Sequence, residues 1–403
     1  MSFSFEFDIG ADDLDHELDN PTESLKQLDI AADQQPEASS SVVPFAQVPL
    51  SELLATLPPL LSYTPVNVPL QSQGGREVTL LRRDLFDARF QILNQDEIEA
   101  DERDANQDQN QPKGKAKEVF VDEQSDLVKG VYEGGLKTWE CSLDLVDCLD
   151  ERGYSVDRDL TTERIRGSSV LEIGCGTAVP TCAAFARLLN EIARDPTPEK
   201  GPRPQKTRVH VQDYNKPVLN LITLPNLLLT YAQHFLLPAK TPDADEEAAE
   251  DEAGRPGELE VSPEFLDSFE AFLERENIDL RFFEGDWSGM NVAVREDPDG
   301  PYHLVLTSET VYSVPSLGPL IDLLDAACRR RPSGGSGSNK EGEDFSLCLV
   351  ACKRIYFGVG GGELEFRRRV EERGAKVEAV WGQGEGKGKS SGVGRTVLRV
   401  EWV

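Results

Sequence analysis

The fold of this chain is decided by the stretch Ser168-Ser169-Val170-Leu171-Glu172-Ile173-Gly174-Cys175-Gly176-Thr177-Ala178-Val179-Pro180. An apolar run ends there in Gly-x-Gly, and a helical pattern follows from Thr177 through Leu189. This order predicts a buried parallel strand that turns sharply into a helix. Glycines at such a turn let the backbone approach a ligand closely, because they lack a Cβ and tolerate positive φ. Doubly wound sheets bind nucleotides at this turn, although a purely structural turn can have the same sequence.

Length and charge limit the class of protein. The 403 residues suffice for two domains or for one domain with insertions. The formal net charge of -31 argues against binding to the phosphate backbone of nucleic acids, so no direct nucleic-acid contact is predicted. No apolar run approaches the ~18 residues of a membrane span, and the N-terminus lacks the basic and apolar parts of a signal peptide. No membrane association is therefore expected. We further expect a monomer located in the cytoplasm and nucleus.

The cysteines and histidines give no sign of a metal site. The seven cysteines contain no C-x-x-C pair and mostly occupy apolar contexts, which predicts reduced, buried thiols. The four histidines are scattered along the chain. No metal ligand is predicted.

Composition divides the chain into three parts. Residues 1–45 are rich in Asp, Glu, Gln, Ser and Pro and are predicted to be a largely disordered tail. Residues 46–120 are predicted to be an N-terminal extension that packs on the main domain, followed by a polar linker. The main domain is predicted to span residues 121–403, with an acidic surface insertion from Pro238 to Ser262 and further Gly-rich loops.

Strands and helices alternate through the main domain. After the first strand, strands are predicted at Arg208–Asp213, Leu280–Phe283, Tyr302–Leu306, Phe345–Ala351, Lys376–Trp381 and Thr396–Val403. Helices are predicted at Asn215–Phe235, with a kink at Pro225, and at Pro263–Ile278, Leu317–Arg329 and Leu364–Arg373. This order predicts an α/β, Rossmann-like fold with a mostly parallel sheet and one antiparallel edge strand.

An acidic residue ends the second predicted strand. Asp213 follows Gly176 by 37 residues, and a carboxylate there can accept both hydroxyls of an adenosine ribose. A dinucleotide site would have a third glycine for the pyrophosphate, but position 179 is Val. The pocket therefore matches an adenosine without a pyrophosphate, of which S-adenosylmethionine is the commonest.

The next two strand ends carry matching side chains. Gly285-Asp286-Trp287 ends the third strand, where an acid can bond the adenine amino group and an aromatic ring can pack on the base. Ser308, Glu309 and Tyr312 follow the fourth strand, where a methyl acceptor would lie. Taken singly, Trp287 can be a core residue and Glu309 a charge near a helix N-cap. Their joint occurrence in order along the chain favours the site.

Several of these stretches resemble known methyltransferases. Glu172–Gly176 is similar to motif I of class I methyltransferases, and Glu309–Tyr312 to the D/E-x-x-Y signature of seven-strand enzymes that modify protein lysine or histidine. Gly130–Cys141 resembles the entry motif of the eukaryotic protein-histidine methyltransferase family that acts on a large-subunit ribosomal protein. Other runs similar to this family, including its fungal members, are Met1–Phe5, Gln212–Asn215, Thr223–Asn226, Thr307–Thr310 and Tyr356–Gly362.

The resemblance implies a seven-strand fold and methyl transfer from S-adenosylmethionine to an imidazole nitrogen of a histidine in a large-subunit ribosomal protein. It implies that Glu309 holds the acceptor ring, while Tyr312 and Tyr356 shape the slot around it. Together with the strand ends, it gives as cofactor-binding candidates Trp139, Glu140, Cys141, Glu172, Gly174, Gly176, Asp213, Tyr214, Asn215, Gly285, Asp286, Trp287 and Ser308. Trp139, Glu140 and Cys141 are expected to cover the methionine end.

The sequence departs from the family pattern at two positions. Glu172 stands where members often carry Asp, and Ala178 stands where another glycine is usual. Two rival functions stay open: a protein-lysine methyltransferase of the same fold, and a non-catalytic scaffold whose acidic arms recruit partners.

Overall fold

The computed structural model describes residues 42–71, 76–84, 86, 88, 135–156, 163–197, 204–235, 255–328, 346–357, 360–382 and 393–402. The predicted tail up to residue 41, the polar linker 94–118 and the insertion up to residue 254 lie outside these ranges. The strands are β1 Ala46–Val48, β2 Leu60–Leu70, β3 Arg76–Arg83, β4 Ser169–Ile173, β5 Thr207–Asp213, β6 Gly257–Glu260, β7 Ile278–Glu284, β8 Leu304–Ser308, β9 Leu347–Lys353, β10 Lys376–Trp381 and β11 Arg395–Glu401.

The helices occupy the connections between these strands. They are α1 Leu50–Ala55, α2 Glu140–Glu151, α3 Val179–Arg194, α4 Lys216–Val218, α5 Leu224–Phe235, α6 Pro263–Arg275, α7 Trp287–Glu296, α8 Leu317–Cys328 and α9 Glu363–Glu372. A π-helical turn, Leu219–Thr223, joins α4 to α5. In the described part of the chain, no helix is long and apolar enough to cross a bilayer.

The main sheet has eight strands in the order β1-β7-β5-β4-β8-β9-β11-β10. The five strands from β7 to β9 run parallel, whereas β11 is antiparallel to both β9 and β10. At the opposite edge, β1 pairs antiparallel with β7. The predicted α/β fold, with a mostly parallel sheet and an antiparallel edge strand, is confirmed. The chain reverses its direction across the sheet between β4 and β8, which is where doubly wound folds bind ligands.

Apolar clusters cover both faces of the sheet. Along β4, Val170 belongs to one cluster, while Leu171 and Ile173 belong to the other. Side chains that alternate across a strand can enter two different cores only if helices cover both faces. Burial on both faces therefore fixes the position of β4 and of the turn at Gly174 that follows it.

The N-terminal segment adds strands to the fold. β1 joins the main sheet, and β2 pairs with β3 and β6 in a second, antiparallel sheet. β6 lies inside the stretch Pro238–Ser262, which was predicted to be an acidic surface insertion, so that prediction was wrong for its last residues. Charged residues alternate with Gly257 and Leu259 in β6, a pattern too short to separate from a loop.

Two helices differ in extent from their predictions for local reasons. α3 begins at Val179 rather than Thr177 because Ala178, its N-cap, has φ +51° and cannot extend the helix. A left-handed conformation explains why the family pattern favours glycine there. The helix from Pro263 ends at Arg275 rather than Ile278, because Asn277 has φ +55° and Ile278 already begins β7.

Pro225 is accommodated by a change of helix type. Proline lacks the N–H that would bond the carbonyl four residues earlier, and its ring crowds that carbonyl. The π-helical turn lies immediately before it, and the carbonyl of Leu221 accepts a 2.8 Å hydrogen bond from Arg83 Nη1. Arg83 is completely buried. Arg83 of β3 therefore supplies the hydrogen bond to the Leu221 carbonyl that Pro225 cannot donate.

Candidate active site

A cavity of about 580 Å³ opens at the carboxyl ends of the parallel strands. Its volume lies within the roughly 300–1,000 Å³ of small-molecule sites. The structure places most of the predicted residues on its wall, namely Trp139, Glu140, Gly174, Gly176, Asp213, Tyr214, Asn215, Trp287, Ser308, Glu309, Tyr312 and Tyr356. Cys141, Glu172, Gly285 and Asp286 do not line it.

Gly285 and Asp286 are covered by the N-terminal segment. A Cβ on Gly285 would lie 2.2 Å from the carbonyl oxygen of Pro44. Asp286 is the N-cap of α7, where its Oδ1 accepts a 3.0 Å hydrogen bond from the Gly289 N–H. Its own N–H donates to the carbonyl of Val43. The predicted contact of this carboxylate with the adenine is therefore wrong, because Asp is a preferred N-cap residue and Asp286 has that role here.

Glu172 and Cys141 lie behind the cavity wall. Glu172 is completely buried and accepts hydrogen bonds from the Thr181 N–H and hydroxyl at the start of α3. Cys141 is completely buried on α2, where burial and the nearby Glu309 carboxylate raise the pKa of its thiol well above the ordinary value. Both residues support the site from within the core.

The glycine turn after β4 has the geometry that its sequence predicts. Gly174 and Gly176 have φ of +61° and +50°, and a Cβ on Gly174 would lie 2.6 Å from Thr310 Cγ2. The N–H of Gly176 donates a 3.0 Å hydrogen bond to Asp213 Oδ2, and Asp213 Oδ1 accepts one of equal length from the Asn215 N–H. The ends of β4 and β5 are therefore joined at the cavity.

Gln212 joins three strand ends through one buried amide. Its Oε1 accepts hydrogen bonds from the Gly174 N–H at 3.1 Å and from the indole N–H of Trp287 at 2.9 Å. Its Nε2 donates to the carbonyl of Gly285 at 2.8 Å. Gln212 is completely buried, so it holds the glycine turn and the Trp287 ring in a fixed relation.

Polar side chains of the Thr223–Asn226 run hold the glycine turn from behind. Thr223 Oγ1 donates to the carbonyl of Gly176 at 2.7 Å, and Asn226 Nδ2 donates to the carbonyl of Thr177 at 2.8 Å. Asn226 Oδ1 also accepts from the N–H of Arg83 at 2.8 Å. The Thr223–Asn226 run, far along the chain from the glycines, thus fixes the carbonyls of Gly176 and Thr177.

Glu309 also lines the cavity, next to Thr310, whose side chain packs on Gly174. Glu309 has φ +56°, and its N–H donates to the carbonyl of Ala351. Its Oε2 accepts a 2.6 Å hydrogen bond from the Tyr356 hydroxyl, and its Oε1 lies 3.5 Å from Lys353 Nζ. The carboxylate is therefore held from both sides on the cavity wall.

Lys353 links Glu309 to the Trp139–Glu140 turn. Its Nζ lies 3.4 Å from Glu140 Oε2 and 4.7 Å from the centre of the Trp139 ring. Burial acts to lower the pKa of Lys353, but the carboxylates of Glu309 and Glu140 outweigh it and raise the pKa above its ordinary value. The lysine is charged at neutral pH.

The glycine run after Tyr356 packs against the backbone of Tyr312. The N–H of Gly361 donates a 3.1 Å hydrogen bond to the Tyr312 carbonyl, and a Cβ on Gly361 would lie 2.2 Å from that oxygen. The rings of Tyr312 and Tyr356 are 6.3 Å apart between centres. Gly358 and Val359 lie outside the described residues.

Several wall residues were not predicted. They are Gly135, Lys137, Ser142, Cys175, Thr177, Thr310, Lys353, Ile355, Phe357, Val393 and Arg395. Lys353 stands at the carboxyl end of β9, so extending the strand-end reasoning by one strand would have found it. Arg395 opens an antiparallel strand, where no such rule applies.

The wall residues fit S-adenosylmethionine, which supplies a methyl group bonded to a sulfonium sulfur. Gly174 and Gly176 form a cradle of bare backbone on the cavity wall, Asp213 offers carboxylate oxygens and Trp287 an aromatic ring. These groups can hold an adenosine, whereas Trp139 and Glu140 lie toward Glu309 and can cover the methionine end.

Curated proteins of one family are similar to this chain over most of its length. Histidine protein methyltransferase 1 of Schizosaccharomyces pombe is 33% identical, covering 87% of this chain and 82% of its own. The Saccharomyces cerevisiae protein of the same name is 30% identical, over 73% of this chain and 69% of its own. A Bos taurus homologue is 32% identical, over 62% of this chain and 51% of its own.

No family model matches the sequence. Among solved structures, a SAM dependent methyltransferase from Aquifex aeolicus is similar at 12% identity and a TM-score of 0.28, covering 66% of this chain and 94% of that one.

The sequence similarity to the fungal proteins and the residues of the cavity wall both indicate a methyltransferase. The protein is an enzyme, a methyltransferase that takes its methyl group from S-adenosylmethionine. The chain belongs to the histidine protein methyltransferase 1 family.

Proposed function

We propose that the protein methylates an imidazole nitrogen of a histidine in a large-subunit ribosomal protein. The observation that carries the proposal is the carboxylate of Glu309, which Tyr356 and Lys353 hold on the cavity wall. A fixed carboxylate beside the methyl donor can accept the N–H of an imidazole ring. It would thereby aim the other ring nitrogen, which carries the lone pair, at the methyl group.

Methyl transfer to a neutral imidazole requires little of the enzyme beyond positioning the ring and the methyl donor. An imidazole with an ordinary pKa of ~6.5 is mostly neutral at pH 7 and already holds a nucleophilic lone pair. That lone pair forms the new N–C bond as the S–C bond breaks and its electron pair returns to sulfur. The ring then carries a positive charge beside Glu309, and its remaining N–H proton can pass to this carboxylate or to water. Holding the ring in line supplies most of the acceleration.

Two stretches that resemble the ribosomal-protein-modifying family, Gly130–Cys141 and Tyr356–Gly362, support the choice of acceptor. Trp139 and Glu140 come from the first, and Tyr356 comes from the second. Lys353 contacts the first pair directly, and Tyr356 bonds the Glu309 carboxylate that Lys353 faces. Both stretches thus meet at the acceptor end of the cavity, where a substrate-specific motif is expected.

Methyl-histidine analysis of ribosomes tests the proposal. Large ribosomal subunits from cells that lack this enzyme are incubated with it and isotope-labelled S-adenosylmethionine, and the labelled residue is mapped by mass spectrometry. We expect label on a histidine of one large-subunit protein, and no label with a Gly174→Arg variant, whose side chain fills the cradle. Label on a lysine would contradict the histidine acceptor, because Glu309-x-x-Tyr312 is shared with lysine-modifying enzymes. Label confined to non-ribosomal protein would contradict the ribosomal acceptor.

A further inference from the structure

The turn after β9 sends successive side chains in different directions. Tyr356 is half-buried and bonds Glu309 inside the cavity. Its two neighbours, Ile355 and Phe357, are 55% and 79% exposed, and both also line the cavity. We call this exposed pair the apolar rim. Large apolar side chains exposed beside a cavity often mark a binding surface.

The position of the apolar rim determines which part of a protein substrate can contact it. A histidine whose ring reaches Glu309 must bring its own backbone to the mouth of the cavity, beside Tyr356. In an extended segment, residues follow each other at about 3.3 Å, so the positions one or two residues from the histidine lie about 3–7 Å along the backbone, and the side chain two positions away shares the face of the histidine. The rim is continuous with the cavity wall and lies in that zone.

We propose that the apolar rim, Ile355 and Phe357, is a docking surface for an apolar side chain of the acceptor protein within two residues of the methylated histidine. The inference rests on the proposed function and adds a recognition element outside the reacting groups. A small-molecule acceptor would need no exposed phenylalanine at the mouth. Docking of such a side chain buries both partners and holds the acceptor backbone while the ring enters the slot.

Steady-state kinetics on large ribosomal subunits from cells without the enzyme test the rim. We expect Phe357→Ser to raise KM for the subunits at least tenfold, with kcat within threefold and cofactor affinity by calorimetry unchanged. Phe357→Leu, which keeps an apolar side chain, should stay within threefold of wild type in KM. Val292→Ser is the matched control, since Val292 on α7 is also 55% exposed and does not line the cavity.

The outcomes separate the rim from the proposed acceptor. An unchanged KM in Phe357→Ser, or a fall in kcat alone, would overturn the rim, because the residue would then at most support Tyr356. Ile355→Ser gives a second measurement from the other side of Tyr356, with the same expected rise in KM. Failure of the wild type to label any large-subunit protein would contradict the ribosomal acceptor instead. The apparent KM is then measured on total protein extract from the same cells.

Discussion

The Tyr356 hydroxyl donates a 2.6 Å hydrogen bond to Glu309 Oε2, across 47 residues of sequence. Burial, together with the Glu309 carboxylate, raises the pKa of Tyr356 well above its ordinary value. The phenol therefore stays protonated and keeps donating through the neutral and mildly alkaline range. Because Lys353 Nζ faces the other oxygen, the carboxylate has one orientation toward the cavity.

Removing this donor should slow catalysis without weakening cofactor binding. Tyr356→Phe keeps the ring and removes one hydrogen bond to a charged group, worth about 1.5–3 kcal/mol. We expect kcat to fall about 10- to 100-fold, measured by transfer of labelled methyl groups, with unchanged cofactor affinity in calorimetry. Tyr231→Phe is the matched control, since the Tyr231 hydroxyl lies 3.1 Å from Ser268 Oγ, outside the site. Equal kcat values in wild type and Tyr356→Phe would show that Glu309 needs no such support.

A methyl group on Gly174 should weaken cofactor binding because it displaces Thr310, another residue of the cavity wall, and not through backbone strain alone. In Gly174→Ala, the new Cβ would lie 2.6 Å from Thr310 Cγ2 at a φ of +61°. We expect the Kd for S-adenosylmethionine to rise at least tenfold by calorimetry. Gly300→Ala has similar backbone strain, at φ +78°, but its Cβ would meet open space. Gly300→Ala should lose about 1 kcal/mol of stability from its backbone conformation alone and Gly174→Ala more, and a matching loss of cofactor affinity in Gly300→Ala would refute the steric explanation.

Gln212 should matter to stability and cofactor affinity together. Gln212→Leu removes the acceptor of the Gly174 and Trp287 N–H groups and the donor to the Gly285 carbonyl. Each buried polar group left unsatisfied costs about 1–3 kcal/mol. We expect the free energy of unfolding in urea to fall by about 3 kcal/mol or more and the cofactor Kd to rise. In Gln212→Glu the carboxyl keeps the acceptor oxygen, but in this buried position it must either ionise or hold a proton, so the stability of this variant should fall as pH rises above the ordinary carboxyl pKa. Loss of stability with unchanged Kd would make Gln212 an ordinary core residue.

The sequence predicts the centre of the fold because its signals are local. β4, the glycine turn and Asp213 each follow from apolar runs and the residues that end them. The observed bounds of the parallel strands lie within a few residues of the predicted bounds for the same reason. β1 has only three residues, and its pairing with β7 depends on contacts more than 200 residues away. No local pattern indicates such a strand.

The sequence predicts only those residues of the candidate site that stand at the ends of strands. That rule places Trp287 and Glu309 on the cavity wall, but it also predicts an adenine contact for Asp286, which instead caps α7 and contacts the segment before β1. Lys353 meets Glu140 across more than 200 residues, and the pairing depends on tertiary packing alone. The same holds for Arg83, which compensates Pro225 from another sheet.

Glu172 makes stability depend on pH in an unusual direction. Its carboxyl is completely buried behind the glycine turn, and burial, with a smaller contribution from Asp213, raises its pKa from 4.5 to about 8 despite the hydrogen bonds from Thr181. Between these two values the folded chain holds a proton that the unfolded chain has released. Stability must therefore fall as pH rises through this window, and the loss is complete above about pH 8.

Glu172→Gln should remove this dependence, because the amide oxygen still accepts from Thr181 and never ionises. Urea denaturation of both proteins at several pH values from below 4.5 to about 8 gives the difference in free energy of unfolding. We expect that difference to move in favour of the variant by up to about 1.4 kcal/mol per pH unit. At acidic pH, where the wild-type side chain is neutral in both states, the two proteins should be nearly equal in stability. Parallel pH profiles would mean that Glu172 is ionised in the folded protein and that its charge is stabilised behind the glycine turn.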